Sequence, residues 1–205
     1  MKKGFYKSGK AKKDNYKVHW EIYPKILKLI NLKKGRKILD AGCGNGELGK
    51  YLKGFDLYGF DPEKKAIREA SKKNYKKLFL AGIYKTNFKS KEFNVSFCIQ
   101  VFPYISKQEE AFFELIRITK DKIILSVPNF NWLKLKSIIN PKYKKNYNLE
   151  IEEYSFPTNS FLLKKFAKKN NLQLKIFYLS NKFGFIRNIF GNWLASEVVG
   201  IYTLK

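Results

Sequence analysis

Residues 37–48, KILDAGCGNGEL, constrain this chain more than any other stretch. Lys37–Ala41 has the apolar density of a short buried strand, with Asp40 near its end. Gly42, Gly44 and Gly46 then alternate, so the backbone can turn sharply and approach a ligand where a Cβ would clash. Glu47 and Leu48 open a helix. A strand, a glycine turn and a helix in that order build a nucleotide-type site at the carboxyl edge of an α/β sheet.

The rest of the chain fits that frame. Apolar runs at 57–61, 77–81, 94–101 and 122–127 predict further strands, and 47–53, 63–74 and 107–119 predict helices between them. Strands this apolar belong in a parallel sheet covered on both faces. Pro62 and Pro128 end two of them. Residues 20–31 carry Ile22, Tyr23, Ile26, Leu27 and Ile30 at helical spacing. Residues 159–171 predict a helix with Phe161, Leu162 and Phe166 inward. Residues 172–179 and 194–204 close the chain as two strands, which requires one antiparallel neighbour. The expected fold is α/β: a Rossmann-like three-layer α/β/α sandwich with a mostly parallel seven-stranded sheet and an antiparallel last strand.

At 205 residues the chain has length for one domain and a sizeable core. Its expected parts are a basic leader and helix over 1–34, a ligand-binding core over 35–128, an irregular excursion over the sheet's carboxyl edge over 129–158, and a helix with two strands over 159–205. Cys43 lies in the glycine turn and Cys98 in an apolar run. Two such cysteines make no disulfide framework, so a reducing compartment, the cytoplasm, is expected. Residues 1–17 are basic with no apolar core behind them, and no run approaches the roughly 18 apolar residues of a membrane span.

The formal net charge is +25, with 42 Lys and Arg against 17 Asp and Glu. Such a surface attracts phosphate polymers whatever its function. Yet only Arg36, Arg68, Arg117 and Arg187 are arginines, the residue suited to bidentate contact with phosphates and bases. The lysines accompany much Ile, Asn, Phe and Tyr, a mixture that an AT-rich genome produces unselected. A solvated lysine surface is the expected reading, with RNA as the partner the charge leaves open. Charge names no substrate.

Two ligands compete for the turn. Gly44, Gly46 and Gly49 match the dinucleotide fingerprint, which sets a pyrophosphate over a helix N-terminus. A carboxylate at Asp40 would repel that group, and Glu47 adds to the repulsion. S-adenosylmethionine instead brings an ammonium and a sulfonium, which the same acids attract through charge-assisted contacts. Asp61, 19 residues beyond Gly42, can take both ribose hydroxyls or cap the helix entered through Pro62 and Glu63.

Asp40-x-Gly42-x-Gly44-x-Gly46 followed by Asp61 resembles the signature of class I S-adenosylmethionine-dependent methyltransferases. Residues 93–98 are similar to that family's fourth strand, and 101–105 to the loop after it. A narrower resemblance is to the methionine-biosynthesis protein MetW and its relatives. It rests on Gln100, residues 124–132, Pro157 with Asn159, and residues 192–197. The resemblance implies S-adenosyl-L-methionine as cofactor, with Asp40, Gly42, Cys43, Gly44, Gly46, Asp61, Pro62, Ile83 and Gln100 as the binding set. The narrower one implies a homoserine acyltransferase partner and a cofactor-sensing role as the alternative to catalysis.

This chain departs from the family at two places. Ile83 stands where relatives often carry an acid near the adenine amino group, so adenine would meet backbone and apolar contact from Ile83 and Tyr84. Pro103-Tyr104 replaces a frequent Glu-His, which removes a familiar base. A sulfonium methyl is already activated, so transfer needs alignment first and a base only when the acceptor must lose a proton. The candidates for that role are His19, Tyr104 and Asn129, with Tyr16, Trp20 and Trp132 as further pocket walls. The expected acceptor is small. Cys43 has no histidine to activate it, and no metal-ligand cluster is present.

Overall fold

The computed structural model describes residues 22–139, 156, 158–179 and 195–204. The leader with Tyr16, His19 and Trp20, and residues 140–155, 157 and 180–194, lie outside the described residues. In chain order the elements are α1 (Ile22–Leu27), β1 (Lys37–Ala41), β2 (Asp56–Asp61), α2 (Lys64–Ala70), β3 (Lys77–Leu80), β4 (Phe93–Ile99), α3 (Gln108–Ile118), β5 (Thr119–Pro128), α4 (Phe130–Ile139), α5 (Ser160–Lys169), β6 (Gln173–Leu179) and β7 (Glu197–Thr203).

Among the described residues the strands form one sheet in the order β3-β2-β1-β4-β5-β7-β6. The first five run parallel. β7 is antiparallel to both β5 and β6. This is the expected Rossmann-like arrangement, with the reversal at the last strand.

Side chains alternate across the sheet and feed two cores. Leu39, Phe60, Ile123, Leu125 and Tyr202 face α3 and α5, while Ile38, Leu57, Phe97, Ile124 and Ile201 face α1. On the first face Phe166 of α5 stacks on Phe112 of α3 with centroids 4.5 Å apart, and Phe102 meets Phe166 edge-on at 5.6 Å. Each large side chain buried this way contributes roughly 1.5–3 kcal/mol.

Several assignments differ from expectation: α1 ends at Leu27 rather than at residue 31, α2 at Ala70 rather than 74, and β4 at Ile99 rather than 101. The helix predicted over 47–53 is a single 3₁₀ turn, Glu47–Lys50, interrupted by Gly49 and followed by Gly54. β5 starts at Thr119, directly off α3. In α5, Phe161 points outward at 75% exposure, and Leu163, fully buried, takes the inward place. The reason is spacing: Phe161 and Phe166 are five positions apart, about 140° around a helix, whereas Leu163, Phe166 and Ala167 share one face. Asn159 caps the helix, its side chain accepting from the Phe161 and Leu162 amides at 2.9 and 3.3 Å. The excursion begins as a helix, α4. No helix among the described residues is long and apolar enough to cross a membrane.

Candidate functional site

The glycine turn leaves β1 at the sheet's carboxyl edge. Gly42, Gly44 and Gly46 all hold left-handed backbone, with φ of 74°, 51° and 82°, which residues with a Cβ rarely adopt. The Gly42 and Cys43 amides both donate to the Phe60 carbonyl at 2.9 Å, tying the turn to β2. A Cβ on Gly44 would meet nothing within 4 Å, whereas one on Gly42 would lie 2.6 Å from Val101 Cγ2. The turn is therefore open at its tip and packed at its root.

Asp61 ends β2 beside it. Oδ2 accepts from the Gly44 amide and Oδ1 from the Glu63 amide, each at 2.9 Å. One carboxylate thus holds the glycine turn and opens the helix after Pro62. Burial raises its pKa, against the two amide hydrogen bonds that lower it. A carboxylate has about four lone-pair sites, so two stay available for ribose hydroxyls.

Asp40 is only 2% exposed, and its Oδ2 accepts from the Tyr75 hydroxyl at 2.5 Å. Burial pushes its carboxyl up to about 7; the Tyr75 bond works against that rise and the charge of Asp61 adds to it. Burial, then Asp40 and Asp61, lift the Cys43 thiol well above its usual range, in keeping with an inert turn residue.

Sequence reasoning missed Tyr75 and its two neighbours. Lys73 Nζ donates to the Asn45 carbonyl at 3.1 Å and Asn74 Nδ2 to the Gly49 carbonyl at 2.8 Å. Three consecutive residues after α2 thereby latch the turn from one side. Glu47 is buried and paired with Lys50 at 2.7 Å and Lys73 at 4.0 Å. The only available signal was the glycine set itself: Gly46, Gly49 and Gly59 all lie where a Cβ would press on the Tyr75 ring.

The other expected residues divide. Pro62 is exposed at the end of β2, and Ile83 is buried within the core. Tyr84 is half exposed, its hydroxyl 3.3 Å from Ser106 Oγ. Tyr104 ends a 3₁₀ turn after β4. Asn129 is fully buried, and its Nδ2 donates to the Ala195 carbonyl at 2.9 Å, joining the end of β5 to the approach of β7. His19 lies outside the described residues.

Residues 39–126 match the family model described as a methyltransferase domain. They form a methyltransferase domain. The domain's fold recurs in magnesium protoporphyrin IX methyltransferase from Synechocystis with bound S-adenosylmethionine, at TM-score 0.67 and 14% identity over 98% of this chain and 88% of that one. It also recurs in a methyltransferase from Archaeoglobus fulgidus, at TM-score 0.66 and 18% identity over 90% and 93%. A Thermotoga maritima methyltransferase gives TM-score 0.66 and 16% identity over 94% and 96%. No curated protein sequence matches this chain.

The cofactor of this methyltransferase domain is S-adenosylmethionine. Its turn offers open backbone at Gly44 and lone pairs on Asp61; Asp40, when ionised, adds negative charge beside it, while Glu47 is paired with Lys50 and Lys73. Carboxylate oxygens fit a cationic nucleoside better than a pyrophosphate. Among the described residues no group of histidine, cysteine and carboxylate side chains could hold a metal ion.

Proposed function

We propose that this methyltransferase passes the sulfonium methyl of S-adenosylmethionine to a small acceptor, with Gly42, Cys43, Gly44 and Gly46 cradling the methionine end and Asp61 the ribose. The observation that carries this reading is the double use of Asp61, which fixes the Gly44 amide and still has oxygen lone pairs for two hydroxyls. Asp61, and Asp40 in its ionised form, give the turn the negative charge that suits an ammonium and a sulfonium, whereas Glu47 is balanced by Lys50 and Lys73. Ile83 and Gln100 complete the proposed binding set. The residues' contribution to the reaction is alignment: donor and nucleophile held in line supply several kcal/mol of the barrier. Support for a small acceptor comes from the magnesium protoporphyrin IX enzyme with which the chain shares its fold.

Calorimetry with S-adenosylmethionine and S-adenosylhomocysteine tests the reading. Binding of both is expected; no binding at high micromolar ligand, while NAD binds, overturns it. Two buried free cysteines, Cys43 and Cys98, suit a reducing cytoplasm. The narrower kinship with the methionine-biosynthesis group rests on Gln100 and residues 124–132, and predicts co-purification with a homoserine acyltransferase.

A further inference from the structure

Glu197 is the first residue of β7. Because β7 runs antiparallel, its start lies at the edge where β4 and β5 end, and Glu197 pairs in register with Pro128. The side chain is buried, and its Oε1 accepts from Ser126 Oγ on β5 at 2.7 Å. Gln100 follows β4, with its amide N–H on the Ser126 carbonyl at 3.0 Å. Three neighbouring strands thus bring a carboxyl, a hydroxyl and a carboxamide to one point.

Two features mark Gln100 as held for a purpose. Its φ of 59° is left-handed in a residue with a Cβ. Its side-chain amide is buried: Oε1 has no hydrogen-bond partner, while the N–H end acts on the Glu197 carboxyl and favours its ionised form. A strained backbone and an unpaired buried amide oxygen are each disfavoured, and they persist where a ligand or a reaction uses them. The next residue, Val101, packs against the root of the glycine turn at Gly42. The cluster therefore adjoins the proposed methyl-donor site.

We infer that Glu197, held by Ser126 and faced by Gln100, is the catalytic base that takes the proton of a hydroxyl acceptor. The inference rests on the methyl-donor reading of the glycine turn. The acceptor oxygen attacks the methyl carbon, the O–C bond forms, and the S–C bond breaks with its electron pair passing to sulfur. The acceptor's proton goes to the Glu197 carboxylate. A hydroxyl requires such a base, whereas a neutral amine attacks through its own lone pair. Burial raises the Glu197 carboxyl to about 8, against the Ser126 hydrogen bond and the nearby Gln100 amide. Those two residues are what it faces on β5 and after β4, and no charged side chain contributes to the shift. Its base form therefore grows as pH rises towards and past 8, and it is a stronger base than an ordinary carboxylate.

The test uses the full chain with S-[methyl-³H]adenosylmethionine against phenols, aliphatic alcohols, primary amines, carboxylic acids and thiols. Transfer to phenols or alcohols is expected, with kcat/KM rising to a plateau above about pH 8. Glu197→Gln should lower kcat by about 100-fold or more, abolish that limb, and keep S-adenosylhomocysteine affinity within about twofold, as expected of a base outside the donor site. Ser126→Ala should move the limb to higher pH, a readout that holds even if Glu197→Gln fails to fold. Transfer only to amines, acids or thiols, transfer to none of the five classes, or an unmoved pH limb in Ser126→Ala overturns the inference. Failure of the wild type to bind S-adenosylhomocysteine overturns the donor reading instead.

Discussion

The Tyr75 hydroxyl donates to Asp40 Oδ2 at 2.5 Å, joining residues 35 positions apart beside the glycine turn. Asp40 ordinarily titrates near 3.8 and is raised to about 7 here, so between those values the folded state holds a proton that the unfolded chain releases. Folding stability contributed by this group therefore falls as pH rises through that window. Asp40→Asn removes the slope. Urea unfolding from pH 4 to 8 should show the wild type losing ground steadily to the variant. Parallel stability curves would refute the raised carboxyl.

Gly49 gives a test of where the Tyr75 ring lies. A Cβ there would lie 2.6 Å from Tyr75 Cε2. Gly49→Ala should destabilise by roughly 1–3 kcal/mol through overpacking. The cost should shrink in a Tyr75→Leu background, and a double-mutant cycle with no coupling would show that the ring is not what the glycine clears.

Asp61→Ala should weaken S-adenosylhomocysteine binding by roughly 1–3 kcal/mol, as expected when hydrogen bonds to a carboxylate are lost. Isothermal titration measures it. Unchanged affinity would confine Asp61 to holding the Gly44 and Glu63 amides.

Glu114 governs acid stability. Burial opposes its ionisation, but Arg117 and the Thr86 side chain and amide outweigh that and hold the carboxyl at about 2. Its stabilising contribution is full above the usual value of 4.5 and is lost as pH falls towards 2. Glu114→Gln should cost about 1.5–3 kcal/mol at pH 7, a gap that closes in acid. A constant gap from pH 6 to pH 2 would contradict the depressed value.

Phe166→Ala should cost about 3–5 kcal/mol, because it empties the aromatic stack between α3 and α5. Phe161→Ala, on the exposed face of the same helix, should stay within about 0.5 kcal/mol. Thermal melts of the pair decide which phenylalanine faces the core.

The sheet frame was legible because its strands are local apolar runs, and the glycine turn because its chemistry lies in twelve consecutive residues. Asp61 was legible by its spacing from that turn. Tyr75 was not, since its effect arises only when a ring from after α2 fits against glycines from three other places in the chain. Glu197 escaped for a different reason. In sequence it belongs only to the 192–197 resemblance and to the last strand, with no role, until the reversal of β7 carries it to the edge where β4 and β5 end. The Phe161 misassignment overlooked helical spacing, which lets Leu163, Phe166 and Ala167 share the inward face and turns Phe161 away from it.

The Tyr75 ring also has a consequence for descent. Gly46, Gly49 and Gly59 all clear the Tyr75 ring, but Ala70 also crowds position 46 and Leu78 position 59. A homologue with a small residue at position 75 would be eased most at 49, where Lys73 Cβ is the next contact, and would still meet Leu78 at 59. One that keeps the tyrosine is bound to glycine at both.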